Sequence, residues 1–117
     1  MKKLLIIEDD RDTLDVLGVI LEYNNYEVIE SPKKMSLRDI VQINPNIIVV
    51  DYMLADGLGS DLCLQIKTDP STKNIPVILC SASYKIEQIA LDSRADAFIA
   101  KPFDLDQFIQ MVNGLTL

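Results

Sequence analysis

Pro45-Asn46-Ile47-Ile48-Val49-Val50-Asp51-Tyr52-Met53-Leu54-Ala55-Asp56-Gly57-Leu58-Gly59 is the stretch on which the fold turns. Four branched apolar residues run without alternation, stop on an aspartate and lead into a loop carrying two glycines. An unbroken apolar run of this length is how a strand buried on both faces of a parallel sheet reads. Working outward, the same pattern returns in Leu4-Leu5-Ile6-Ile7, Val77-Ile78-Leu79-Cys80 and Phe98-Ile99-Ala100, with Tyr26-Glu27-Val28-Ile29 as a weaker, edge-like version. Between these runs, Leu14/Leu17/Leu21, Leu37/Ile40/Val41, Leu62/Cys63/Ile66, Ile86/Ile89/Ala90 and Leu105/Phe108/Ile109/Val112 recur at helical spacing. Asn44-Pro45 ends the second helix, Asp69-Pro70 the third, and Asp104 with Gln107 has the spacing of a capping box opening the last. Five strands alternating with five helices predict an α/β, doubly wound parallel sheet, because parallel strands need crossovers and those crossovers are right-handed. In such a sheet the ligand site lies beyond the carboxyl ends of the strands.

The 117 residues suit one domain over positions 1–117, since domains commonly run about 100–150 residues. The last helix is expected to end near Gly114, which leaves no room for an output domain after it. Apolar residues at 49% and charged ones at 25% match an ordinary globular protein and exclude collagen, coiled coil and disorder. Eighteen acidic against eleven basic side chains give a net charge of −7, a field that repels nucleic acid and anionic lipid. No apolar run approaches the ~18 residues that span a bilayer, and Met1-Lys2-Lys3 leads into too short an apolar stretch for an export signal. Cys63 and Cys80, both in apolar surroundings, read as reduced core thiols of a cytoplasmic protein. The chain has no histidine, so its chemistry must come from carboxylates, hydroxyls and lysines.

Residues after strands are therefore the ones to inspect. Glu8-Asp9-Asp10 follows the first strand, Asp51 the third, Ser81 the fourth and Lys101 the fifth, the last held by Pro102-Phe103. Three acids in a row can be no more than a solvated loop. Asp51, however, closes a buried run, where its charge needs compensation from cations or donors. Lys101 supplies one, and carboxylates from neighbouring strand ends attract a hard divalent cation: Mg²⁺ typically takes one or two carboxylates plus waters and substrate oxygens. A carboxylate nucleophile, a metal, a lysine and a hydroxyl are the parts needed for phosphoryl transfer to an aspartate.

With these residues in view, the sequence resembles the receiver domain of two-component response regulators. LLIIEDD at 4–10, PNIIVVDYMLADGLG at 45–59, IPVILCSA at 75–82 and ADAFIAKPF at 95–103 carry the resemblance, in order, through nearly the whole chain. It implies a flavodoxin-like three-layer sandwich with strand order 2-1-3-4-5. It also implies Asp51 as phosphoacceptor, Glu8 and Asp9 as the acidic pair that holds Mg²⁺ directly or through water, and Met53 as a metal ligand through its backbone carbonyl. Ser81 falls at the switch hydroxyl, Lys101 at the lysine that contacts phosphoryl oxygen, and Phe98 at the aromatic whose rotamer accompanies activation. Asp10 is then a neighbour of the ligands, and the Lys101-Pro102 peptide is expected to be cis. The implied partners are a histidine kinase or histidine phosphotransfer protein upstream and a protein target on the face of the fourth helix, fifth strand and fifth helix. Met53 and Ser83, two places after the phosphoacceptor and the switch residue, are poor at orienting water, which implies slow self-dephosphorylation.

The chain departs from the family pattern in places. Ala55 stands where proline is usual, with Gly57 and Gly59 preserving turn capacity, and Arg94 stands where a glycine commonly ends the fourth helix. A left-handed cap at Arg94 costs roughly 1 kcal/mol, so the fourth helix is expected to be short, shifted or mobile. Three rivals to the phosphorylation switch follow from the residues. An aspartate-dependent phosphohydrolase needs a second acid where Met53 stands; a flavin mononucleotide binder needs a phosphate-cradling loop where Glu8-Asp9-Asp10 stands. A receiver-fold docking module whose signalling does not need phosphorylation remains as the alternative.

Overall fold

The computed structural model describes residues 1–117. Strands β1 (Lys2–Ile7), β2 (Tyr26–Ser31), β3 (Ile47–Asp51), β4 (Val77–Ser81) and β5 (Ala97–Ala100) form one five-stranded sheet in the order β2-β1-β3-β4-β5. Every neighbouring pair in it is parallel. The helices are α1 (Arg11–Tyr23), α2 (Leu37–Ile43), α3 (Gly59–Thr68), α4 (Ile86–Asp92) and α5 (Leu105–Leu115). This is the expected doubly wound, flavodoxin-like arrangement. A two-residue hairpin that the apolar pattern did not announce, Met53–Leu54 against Gly57–Leu58, stands between β3 and α3.

Strand alternation divides the core in two. Leu4, Ile6, Ile47, Val49, Ile78, Cys80 and Ile99 face one way and meet Leu14, Leu17 and Leu21 of α1 and Phe108 and Val112 of α5. Leu5, Ile7, Ile48, Val50, Val77 and Leu79 face the other way and meet Ile40 of α2, Leu62, Cys63 and Ile66 of α3, and Ile86 and Ala90 of α4. The central strands are buried on both faces, which is why they read as continuous apolar runs. No helix is long and apolar enough to cross a membrane.

Helix ends follow local chemistry. Asn44 closes α2 in the left-handed conformation with φ 53°, and Asp69 stops α3 ahead of Pro70. Asp104 accepts a hydrogen bond from the Gln107 N–H at 3.0 Å, capping α5 as its spacing announced. The fourth helix is short, at seven residues. It ends in a Schellman pattern: Ala95 N–H donates to Ala90 O at 3.0 Å and Arg94 N–H to Leu91 O at 3.2 Å, with Arg94 at φ 62°. The departure at Arg94 has therefore kept the left-handed turn without the residue that favours it. The Lys101–Pro102 peptide is cis.

Candidate functional site

Register and side-chain parity assemble the site. Ile7 pairs with Val50, Asp51 with Cys80 and Ser81 with Ala100, so the residues at and just beyond these positions form one row along the carboxyl edge of the sheet. Leu4 and Ile6 face the α1/α5 side, and parity carries Glu8 there; Ile47 and Val49 carry Asp51, and Ile99 carries Lys101. Three strands thereby aim a glutamate, an aspartate and a lysine into one small space. The Lys101 ammonium lies 2.7 Å from Glu8 Oε1 and 3.2 Å from Asp51 Oδ1.

The environment is half-closed. Glu8 is buried at 3% exposure, while Asp9 and Asp10 are exposed. Burial pushes the Glu8 carboxyl above its ordinary value; the Lys101 hydrogen bond opposes that and Asp51 adds to it. Burial also works against the Lys101 charge, but the Glu8 hydrogen bond and the nearby Asp51 outweigh it and raise the ammonium's pKa. Lysine thus stays charged between two carboxylates, one of which is under strain from desolvation.

Glu8 Oε2 is buried with no hydrogen-bond partner. A buried carboxylate oxygen without a donor is costly. One oxygen from each of Glu8, Asp9 and Asp51 lies within 4.8 Å of the others, so these three carboxylates could hold a metal ion. The orphaned oxygen and an all-oxygen donor set fit a hard divalent cation bound directly or through water.

The other expected residues are arranged differently. Ser81 follows Val77 and Leu79, which face the α2/α3/α4 side, and its hydroxyl accepts a hydrogen bond from the Ser83 N–H at 2.9 Å. Met53 is 67% exposed in the hairpin, and Phe98 lies on the edge strand β5 at 38% exposure, away from the carboxylates. Cys80 neighbours the row, but burial pushes its thiol up to about 12, and Cys63 up to about 11, so both are inert core thiols.

Two residues do work that the sequence reading did not assign. Asp10 caps α1 by accepting from the Thr13 N–H at 3.0 Å and from its hydroxyl, bonds that hold its carboxyl below the usual range. The Asp-x-x-Thr spacing was the available signal. Gly59 was read as turn capacity, yet its need is space: a Cβ there would stand 1.9 Å from the Asp51 carbonyl oxygen and 2.7 Å from Val50 Cγ1. Its N–H donates to Tyr52 O at 2.6 Å, seating the start of α3 against the end of β3. Gly57, at φ 146°, is the glycine that the turn itself requires.

Against known proteins, the family model described as response regulator receiver domain matches residues 4–113. The chain belongs to that family. This receiver domain is 32% identical over 120 residues to the DNA-binding dual master transcriptional regulator RpaA of Synechocystis, a match covering 98% of this chain and 49% of that protein. It is 33% identical over 112 residues to histidine kinase P4 of Formosa agariphila, covering 92% of this chain and 8% of that one. The solved receiver domain of a signal transduction histidine kinase from Syntrophus aciditrophicus matches with a TM-score of 0.84 at 27% identity, covering 99% of this chain and 90% of that one. The receiver domain thus spans about half the length of RpaA. Receiver domains are phosphorylation-controlled signalling elements of two-component systems, distinct from enzymes that turn over a free substrate.

Proposed function

We propose that this receiver domain takes a phosphoryl group onto Asp51 from the phosphohistidine of a histidine kinase or histidine phosphotransfer protein and, so modified, changes a protein-binding surface. The observation that carries the reading is the Glu8–Lys101–Asp51 triad at the carboxyl edge of the sheet, with one Glu8 oxygen buried and unpartnered beside Asp9. In the reaction, an Asp51 carboxylate oxygen attacks phosphorus, the P–O bond forms as the P–N bond breaks, and the imidazole leaves and recovers a proton. Mg²⁺ held by Glu8, Asp9, Asp51 and the Met53 carbonyl would neutralise charge on the phosphoryl oxygens. The Lys101 ammonium, already beside Asp51, binds one such oxygen. The Ser81 hydroxyl leaves the Ser83 N–H for another.

Phe98 then reports the change to the face of α4, β5 and α5, where a depression lies among Leu91, Ala97, Phe98 and Met111. The 117 residues act as one receiver unit in the cytoplasm, with a protein target and, at a net charge of −7, no direct nucleic-acid contact. With Met53 and Ser83 near the phosphoryl position, self-dephosphorylation is slow. A phospho-lifetime of seconds contradicts that last point.

A second reading has one observation in its favour. The short α4 with its left-handed Arg94 lies on the family's usual signalling face, which suits a docking module that works without phosphorylation. Incubation with acetyl phosphate and Mg²⁺ followed by intact-mass measurement separates the two. The switch requires a gain of about 80 Da that needs Mg²⁺ and vanishes in Asp51→Asn; a folded protein with no gain supports the docking module.

A further inference from the structure

The hairpin that carries Met53 has only two residue pairs, Met53 with Leu58 and Leu54 with Gly57. A hairpin this small does not hold its own position in water, so its placement depends on what grips it. Its base is fixed by the Gly59 N–H bond to Tyr52 O. Its tip is held from outside: the Lys34 backbone N–H, in the loop between β2 and α2, donates to both carboxylate oxygens of Asp56 at 3.1 and 3.3 Å. The Lys34 side chain also lies along Gly57, whose absent Cβ would meet its Nζ at 2.9 Å, Cε at 3.4 Å and Cδ at 3.5 Å.

The loop that does the gripping is itself fastened at both ends. The Ser31 hydroxyl donates to Lys33 O at 2.7 Å, and Ser36 caps α2 by accepting from the Asp39 N–H at 3.1 Å. Ser31 O in turn accepts the backbone N–H of Glu8 at 3.0 Å. A continuous hydrogen-bonded route therefore runs from the backbone of Glu8 through Ser31, Lys33 and Lys34 to Asp56 and the hairpin. The two halves of the proposed metal pocket, Glu8 with Asp9 on one side and the Met53 carbonyl on the other, are tied together outside the pocket.

We propose that Asp56 is a positioning residue for the metal site: its bond to the Lys34 amide sets where the hairpin presents the Met53 carbonyl, though Asp56 touches neither metal nor phosphoryl group. The proposal rests on the reading of the site given above. It differs from a simple charge effect, because the hydrogen bond needs an acceptor oxygen and not a negative charge.

The test is Mg²⁺ affinity, followed by amide chemical shifts on wild type, Asp56→Ala and Asp56→Asn, together with the thermal midpoint in EDTA. Loss of the latch in Asp56→Ala weakens Mg²⁺ binding about three- to ten-fold, while Asp56→Asn, which keeps an acceptor, stays within about two-fold of wild type. Both variants keep the metal-free midpoint, because Asp56 is exposed. In acetyl phosphate labelling, Asp56→Ala raises the Mg²⁺ concentration for half-maximal rate and leaves the rate at saturating Mg²⁺ unchanged. An Asn variant as weak as the Ala variant makes Asp56 a charge contribution and overturns the latch. Wild-type affinity in Asp56→Ala overturns it too, while leaving the site reading intact. A wild-type chain that takes up no Mg²⁺ removes both.

Discussion

Glu8 is the residue at which stability and the proposed metal-binding role conflict. Its carboxyl is buried, its pKa is raised chiefly by that burial, and one oxygen lacks a donor. A raised folded-state pKa means that the folded chain binds the proton more readily than the unfolded one. The resulting stability is present below the ordinary glutamate value and is lost as pH rises through the folded-state pKa. Ionising Glu8 is therefore a burden on the fold. Because Lys101 keeps Asp51 as a partner at 3.2 Å, Glu8→Gln in EDTA should melt about 2–5 °C higher than wild type at pH 7, with the difference shrinking as the pH is lowered through the Glu8 titration; an equal or lower midpoint at pH 7 counts against this. The same variant should bind Mg²⁺ less well. Gly59 shows the opposite relation, in which the site depends on an absence. A methyl group 1.9 Å from the Asp51 carbonyl oxygen must displace backbone, so Gly59→Ala should cost about 1–3 kcal/mol by chemical denaturation. It should also slow Asp51 labelling.

At the scale of the element, α4 carries the clearest compromise. Its Schellman ending is fully hydrogen-bonded, yet the left-handed position holds Arg94. Arg94→Gly should therefore stabilise the domain by about 1 kcal/mol, read as a shift in denaturation midpoint without a change in slope. Destabilisation instead would show that the arginine side chain makes a compensating contact. A short fourth helix was expected because Arg94 disfavours a left-handed cap; the helix is short at seven residues, yet the left-handed turn forms all the same. The hairpin after β3 could not be anticipated, because two residue pairs leave no periodic signal. Asp10 stands between these cases: its Asp-x-x-Thr spacing is a cap signature, but the same residue ends a run of three acids that reads equally as a ligand cluster.

At the scale of the molecule, the ends of β1 and β3 bring together three carboxylates that could hold a cation. A ligand bound only by the folded chain stabilises it by mass action. Mg²⁺ at ten times its Kd should add about 1.4 kcal/mol, or roughly 5 °C in thermal midpoint, to wild type and much less to Asp51→Asn. Equal shifts in both proteins would place the ion elsewhere. The proposed phosphorylated state would use the same edge of the sheet, where the metal, the phosphoryl group and Lys101 would meet in a region bounded by three strand ends and not by any one element.

The strand runs and helix periodicities made the sheet and the residues of its carboxyl edge legible in the sequence, while the strand order came only with the family resemblance that the four motifs carry. They are local signals, because burial on both faces of a strand demands apolar residues throughout and a helix end demands a cap. The pairing inside the site was not local. Lys101 was expected to compensate Asp51, and it does lie beside it, but its shorter contact is to Glu8. Residues 93 positions apart meet there because parallel register and side-chain parity bring three strand ends onto one face. The bond from Lys34 to Asp56 is equally non-local, since exposed lysines and aspartates occur throughout the chain and only the packing of two loops selects this pair.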